Sequence, residues 1–218
     1  AILFGAKLDR ANLAGANLSG ADLREASLSG TILEKAVYSN KTLFSEGIDP
    51  SLAGAYLIAP NVSLQGVNLT GADLNGSDLS GANLSGSNLS SVNLKNVDLS
   101  RASLKKAYLK GANLEGTDLR GADLSGAILH QVNLSSADLR GVDLTRADLS
   151  GANLSDADLR GTDLTGATLL FANLTAADLR GVDLTKADLS GAKLNEADLR
   201  KADLMRVNLE GADLTEVD

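Results

Sequence analysis

The chain has 218 residues, 42 of them Leu and 22 Gly, and a formal net charge of −8 at pH 7. It has no Cys and a single histidine, His130, which excludes disulfides, thiol nucleophiles, Cys-ligated metals and sites built on paired histidines. No apolar run reaches the ~18 residues of a membrane-spanning helix, and the length predicts one domain or two at most.

The first 43 residues carry a large apolar residue at every fifth position. We expect these residues to hold the central position of successive pentads: Leu3, Leu8, Leu13, Leu18, Leu23, Leu28, Leu33, Tyr38 and Leu43. The pattern fails at Lys41, where a charge falls on a position that is otherwise small. Residues 1–43 are therefore predicted to form a short N-terminal repeat section.

Residues 44–61 contain both prolines and lack the regular repeat. Asp49 followed by Pro50 favours an N-cap and a first-turn proline, which predicts a short helical turn from Pro50. Leu52 and Leu57 fit two pentads in a shifted frame. We interpret the segment as a loop or bulge between a short and a long repeat section, and the plainer alternative is a loop that only repairs the register.

Residues 62–218 are far more regular. From Leu64 to Leu214 a Leu stands at every fifth position, which gives 31 consecutive pentads. Two residues before each Leu stands Ala, Val, Ser or Thr, and the residue just before the Leu is Asp or Asn in 25 of the 31 pentads. An internal repeat this strict indicates a repeat architecture.

A five-residue period fits neither an α-helix nor a straight strand. On a helix, successive leucines would lie ~140° apart, and on a strand alternate leucines would point to opposite faces. All leucines reach one interior only if the chain turns at each pentad. Gly, Ser, Asn and Asp, which are abundant here, tolerate such turns. The sequence therefore predicts a solenoid of short faces joined by corners.

Residues that point outward repeat every twenty positions, which predicts four faces per coil, although duplication of whole coils would give the same superperiod. Arg follows the Leu, and Asp precedes it, in five pentads spaced by twenty. The arginines are Arg120, Arg140, Arg160, Arg180 and Arg200, and the aspartates are Asp118, Asp138, Asp158, Asp178 and Asp198.

The segments "ADLRG", "ANLSG" and "ADLSG" resemble the pentapeptide-repeat family, whose pattern is A-[DN]-L-x-x, over nearly the whole chain. The resemblance implies an all-β fold, a right-handed quadrilateral parallel β-helix of about ten coils with one non-repeat insert. Residues 44–61 resemble the inserts of cyanobacterial members. At a coil spacing of ~4.8 Å the 31 regular pentads would form a rod about 37 Å long.

No catalytic pattern is present, so we expect no enzyme, no cofactor and no metal. Asp recurs because the repeat requires it beside the turn, and its abundance is not evidence of acid–base chemistry. The nine-residue calcium motif of other β-solenoids is absent. His130 is interpreted as a surface residue.

Two groups of outward residues are candidate interaction sites. The first is the arginine column with its aspartates, either a mutually neutralising solvated surface or a zwitterionic strip that binds a partner. The second is an apolar cluster of Tyr108, Ile128, Leu170 and Phe171, in which Tyr108, Ile128, His130 and Leu170 are predicted to share a face with Phe171 at its corner. Scattered exposed apolar residues are normal, but grouped ones favour a contact patch.

The leading hypothesis is a non-enzymatic structural or protein-interaction solenoid that binds a protein partner. The alternative is an acidic mimic of DNA that regulates a topoisomerase or another DNA-binding protein, since residues 115–218 carry 19 acids and 10 bases. Direct nucleic-acid binding is not expected at this net charge. Repeats that run to both termini without a visible cap are interpreted either as a processed chain or excised domain or as uncapped ends that self-associate. The sequence does not identify the compartment: a soluble chain of this kind fits the cytoplasm or, after removal of a signal peptide, the periplasm or thylakoid lumen.

Overall fold

The computed structural model covers residues 1–218 and contains parallel strand pairing but no helix. From Ser63 to Asp213, each residue that precedes the repeat Leu forms a parallel bridge with the residue twenty positions on, as in Asp118↔Asp138 and Asp138↔Asp158. Four pentads therefore make one coil, as the twenty-residue superperiod predicts. The chain is a β-helix with four short faces per coil.

Besides the bond from each corner N–H to the next coil, such as Arg146 N–H to Thr165 O at 3.1 Å, three backbone hydrogen bonds recur in each pentad. In one example, Leu144 N–H donates to Asp163 O at 2.8 Å, and Asp143 N–H donates to Ala122 O at 3.1 Å. A third bond closes the turn, from Ala147 N–H to Leu144 O at 3.0 Å. Each face is thus bonded to the coil before it and to the coil after it.

The corners lie at the second residue after each Leu, where the backbone is left-handed. The φ angle is 65° at Gly141 and 57° at Arg146. Glycine adopts this conformation at no steric cost, whereas other residues are strained in it. The carboxylate of Asp143 accepts the N–H of Thr145 at 2.9 Å and so holds the chain as it enters the corner. This bond explains why Asp or Asn precedes most of the leucines.

The core contains the Leu and the small residue of each pentad. Leu144 has no exposed surface and Val142 is 1% exposed. Three fully buried inward residues carry hydroxyls, Ser87, Thr117 and Thr162, and each donates to a backbone carbonyl at 2.7–2.8 Å. The interior is therefore filled and leaves no buried side-chain polar atom unpaired.

We call residues 1–60 the N-terminal section and residues 61–218 the main section. The N-terminal section contains the four named strands, β1 (Asp22–Leu23), β2 (Val37–Ser39), β3 (Leu43–Phe44) and β4 (Tyr56–Ile58). β1 pairs in parallel with β3, and β2 pairs in parallel with β4. No bridge joins residues 41–60 to residues 61–80, so the ladder is interrupted between the two sections.

The prediction that Leu43 holds a central position is wrong. Leu23 pairs with Phe44, and Leu43 is 43% exposed. An extra residue in the turn that contains Lys41 shifts the frame by one, so Lys41 is exposed in the turn. Thr42 lies at the inward position instead and donates its hydroxyl to Leu18 O at 2.8 Å.

The prediction for Leu52 is also wrong, because this residue is 87% exposed in a loop. Residues from Pro50 form one hydrogen-bonded turn, with Ala53 N–H donating to Pro50 O at 3.2 Å, but no helix. Leu57 does lie in the ladder, opposite Tyr38. The division into residues 1–43, 44–61 and 62–218 stays a prediction.

The packing predicts that truncating a repeat Leu destabilises the protein more in a central coil of the β-helix than in its final coil. Leu144→Ala should cost about 2–5 kcal/mol, because it leaves a cavity in a filled core. The same substitution at Leu214, which is 45% exposed, should cost much less. Denaturant midpoints of the two variants test this. Equal losses would contradict the inward assignment of Leu144.

Candidate interaction surfaces

One face of the main section carries the predicted arginine column, which we call the arginine ladder. Arg140 Nη2 lies 2.6 Å from Asp138 Oδ2 in its own coil, and Arg140 Nε lies 3.5 Å from Asp158 Oδ2 in the next. The same double contact recurs at Arg120, Arg160 and Arg180. Each of these guanidinium groups therefore joins two successive coils.

The ladder changes the titration of its acids. The hydrogen bonds from Arg140 lower the pKa of Asp138, and those from Arg160 lower the pKa of Asp158. The hydrogen bonds from Arg200 lower the pKa of Asp198 to about 2. The ladder arginines are 43–61% exposed, so water screens these pairs and each contributes little to stability.

The next face around the coil carries a column of aspartates with hydroxyl residues beside them. Its members are Asp123, Asp143, Asp163, Asp183 and Asp203. Lys105 Nζ lies 2.9 Å from Asp123 Oδ2 at one end of the column. Hydrogen bonds from the backbone and side chain of Thr185 lower the pKa of Asp183. This face has no arginine column to match its acids.

The face opposite the aspartate column is held by amides. Asn133 Nδ2 donates to Asn113 Oδ1 at 3.2 Å, and Asn153 and Asn173 repeat this contact with the preceding coil at 3.2 and 3.1 Å. Each side-chain amide in this column therefore pairs with the amide of a neighbouring coil. This column is therefore structural, and sequence reasoning did not assign it a role, although the twenty-residue spacing of Asn is visible in the sequence.

The remaining face bears the predicted apolar cluster. Tyr108 and Ile128 are ladder partners, and their column continues through Asp148 and Thr168. Tyr108 is 50% exposed. Three coil steps, about 14 Å, separate Tyr108 from the pentad of Leu170, and Asp148 lies between. The four apolar residues thus share one side of the rod but do not form one continuous patch.

The structure does bring Leu170 and Phe171 together with His130. They line an open depression of about 400 Å³ that Lys110 and Gln131 also border. His130 Nε2 lies 2.6 Å from Asp148 Oδ2. The depression therefore has an apolar side and a side with basic and amide groups.

Phe171 is unusual among the corner residues. It is 74% exposed and has a φ of 55°, a conformation that disfavours a bulky side chain. Its ring lies against Gly191 of the next coil, where an added Cβ would stand 2.5 Å from two ring carbons. An aromatic side chain is therefore held in place on the surface by a glycine that makes room for it.

The pentapeptide-repeat family model matches residues 1–37, 63–101, 102–141, 143–181 and 183–218. The chain belongs to the pentapeptide-repeat family. The structure of HetL, a family member involved in the regulation of heterocyst differentiation in the cyanobacterium Nostoc sp. strain PCC 7120, is 34% identical. That alignment covers 100% of this chain and 87% of HetL, with a TM-score of 0.48.

Two further solved structures are similar to this chain, over different shares of its length. QnrB1, a plasmid-mediated fluoroquinolone resistance protein, is 20% identical over 100% of this chain and 89% of its own, with a TM-score of 0.48. A protein of the Arabidopsis thaliana thylakoid lumen is 34% identical over 52% of this chain and 68% of its own, with a TM-score of 0.25. Comparison with curated protein sequences gives no significant match.

This pentapeptide-repeat chain lacks two kinds of feature. No three acidic or histidine side chains come close enough together to hold a metal ion. The structure contains no helix with the length and apolar character needed to cross a lipid bilayer.

The ladder predicts an acid-dependent contribution to stability. Because Arg160 lowers the pKa of Asp158 below its ordinary 3.8, the pair stabilises the fold above that pH and stops doing so as the pH falls through the lower folded-state value. Arg160→Gln should therefore lower the thermal midpoint slightly at neutral pH, and this deficit should shrink as the pH falls below 3.8. Arg146→Gln, which removes a corner arginine without an ion pair, is the control.

Thermal melts between pH 2 and 7 measure this difference. A deficit in Arg160→Gln that stays the same size from pH 7 to pH 2, or an equal deficit in Arg146→Gln, would contradict the ladder's role.

Proposed function

We propose that this pentapeptide-repeat protein is a non-catalytic solenoid that binds a protein partner at the corner formed by Leu170 and Phe171. The proposal includes a right-handed helix of about ten coils, because parallel β-crossovers are right-handed in ~98% of cases. The rod is the scaffold, and the corner is the contact that provides affinity.

The observation that carries the proposal is the position of Phe171. Glycine occupies 22 of the 41 left-handed positions of the chain, and Phe171 is the only aromatic residue among the other 19. A phenylalanine costs free energy in the left-handed conformation and leaves its ring in water. Backbone strain of this kind is found at functional sites, which supports a role for the ring outside the fold.

The depression beside Phe171 suits a protein side chain. Leu170 and Phe171 supply apolar surface, while Lys110 and Gln131 supply donors at the rim. Burial of apolar surface contributes roughly 25 cal/mol per Å², whereas exposed ion pairs are weakened by water and salt. The corner is therefore better suited than the arginine ladder to provide binding energy. We interpret the ladder as a solvated surface whose charges neutralise one another.

The DNA-mimic alternative has less support from the charges. The five ladder aspartates each lie within 2.6 Å of a ladder arginine, so this face is neutralised from residue 118 to residue 200, whereas Asp78 and Asp98 in the same column have no ion pair. A mimic of duplex DNA needs unneutralised acids in long columns. Only the aspartate face offers such a column.

Phe171→Gly provides a test that leaves the fold intact. Glycine suits the left-handed corner, so the variant should melt within a few degrees of the wild type while losing partner capture. Lys186→Gly makes the same change at a corner with a φ of 61° on another face and is the matched control.

Immobilised wild type and both variants are incubated with a native extract, and bound proteins are identified by mass spectrometry. A partner retained by the wild type and Lys186→Gly but lost with Phe171→Gly is the expected result. Identical capture by all three would contradict the proposal. Protection of DNA gyrase in a supercoiling assay that survives Phe171→Gly would favour the DNA-mimic alternative.

A further inference from the structure

The first coil of the main section is buried more completely than a terminal coil of a solenoid should be. Its leucines, Leu64 to Leu79, are 0–3% exposed, although no ladder covers them on their N-terminal side. By contrast, Leu204 and Leu214 in the final coil of the chain are 38% and 45% exposed. Something other than a further coil therefore covers residues 61–80.

The covering surface is one outward side of the N-terminal section. Val37 and Ile58 flank the central residues of β2 and β4, at positions where the repeat normally places polar residues. They are 1% and 3% exposed and belong to the same buried cluster as the main-section leucines. The N-terminal section has its own small core, centred on Leu23 and Leu33. It therefore packs side-on across the end of the main helix.

The N-terminal section leaves part of the backbone edge of residues 61–80 uncovered. The N–H and C=O groups of Ser63, Asn68 and Asp78 have no hydrogen-bond partner, and all three residues are exposed. The corresponding groups are paired in every later coil up to the last one. Beside Asp78, an open cleft of about 420 Å³ separates the coil from the turn that contains Lys41.

One hydrogen bond holds the cover to the edge itself. Asn17 Nδ2 donates to the backbone carbonyl of Asp73 at 2.8 Å, which occupies an acceptor that a neighbouring strand would otherwise use. Unpaired strand edges invite pairing with another chain, and proteins often cover them. The N-terminal section covers the core of this coil fully and its backbone edge at one face.

We propose that the N-terminal section is a displaceable cap, and that its displacement allows residues 61–80 to pair with the same coil of a second copy. Ser63, Asn68 and Asp78 each offer both a free N–H and a free C=O, which is what an antiparallel pair exchanges. Each face is only a few residues long, so a straight peptide could follow one face and not the corner. Another four-faced coil matches the whole edge, and two identical edges form a closed two-fold dimer.

The test removes the apolar contact of the cap in the full chain. Val37→Asp combined with Ile58→Ser places polar residues where the repeat normally has them, so the core of the N-terminal section is untouched. We expect this variant to dimerise roughly tenfold or more tightly than the wild type in sedimentation velocity. Ile32→Asp makes the same kind of change at an outward position that is 49% exposed and should behave as the wild type.

Hydrogen exchange identifies the surface involved. The amides of Ser63, Asn68 and Asp78 should exchange fast in the monomer and become protected in the dimer. Asn17→Ala, which removes the bond to Asp73 and the local bond from Ser19 N–H but leaves the apolar contact in place, should shift dimerisation in the same direction by less.

Three results would overturn the proposal. They are a double variant that stays as monomeric as the wild type, a dimer in which these amides remain unprotected, and equal dimerisation of Ile32→Asp.

Discussion

The structure depends on one recurring constraint, the left-handed corner two residues after each Leu. Without it the inward leucines of a five-residue repeat would alternate between two sides of a strand. With it, the chain turns after each short face, and four faces bring residue n beside residue n + 20. Glycine meets the constraint at no cost, and Asp or Asn supports corners with and without glycine by accepting the N–H at the entrance to the corner.

Stacking residues twenty positions apart turns single side chains into columns, and the columns decide what each surface can do. Arginine and aspartate columns neutralise each other, and asparagine amides bond from coil to coil. The charged and hydrogen-bonding groups of these columns are therefore paired with one another. The residues that break the pattern make other contacts: Phe171 projects from a corner, and Val37 and Ile58 pack against the main section.

Periodicity alone predicts the inward leucines, the four faces and the aspartate beside each turn, because each of these depends on a local repeat. It misses features that depend on a single inserted residue or on packing between sections. The frame shift that replaces Leu43 with Phe44 is one of them: the charge of Lys41 marks a break in the pattern, but the pattern does not show that one extra turn residue follows. Apolar Val37 and Ile58 at polar positions were a readable signal, but an isolated repeat unit gives no reason for their burial.

Pyrene excimer fluorescence tests the stacking of residues twenty positions apart most directly, because the chain has no native Cys. One variant carries Thr145→Cys and Thr165→Cys, which the four-faced coil places on one column in successive coils. The other carries Thr145→Cys and Ser155→Cys, which it places on opposite faces with the core between them. Labelled with pyrene maleimide, the first pair should give strong excimer emission and the second only monomer emission. Excimer emission from the ten-residue pair, or none from the twenty-residue pair, would contradict the four-faced coil.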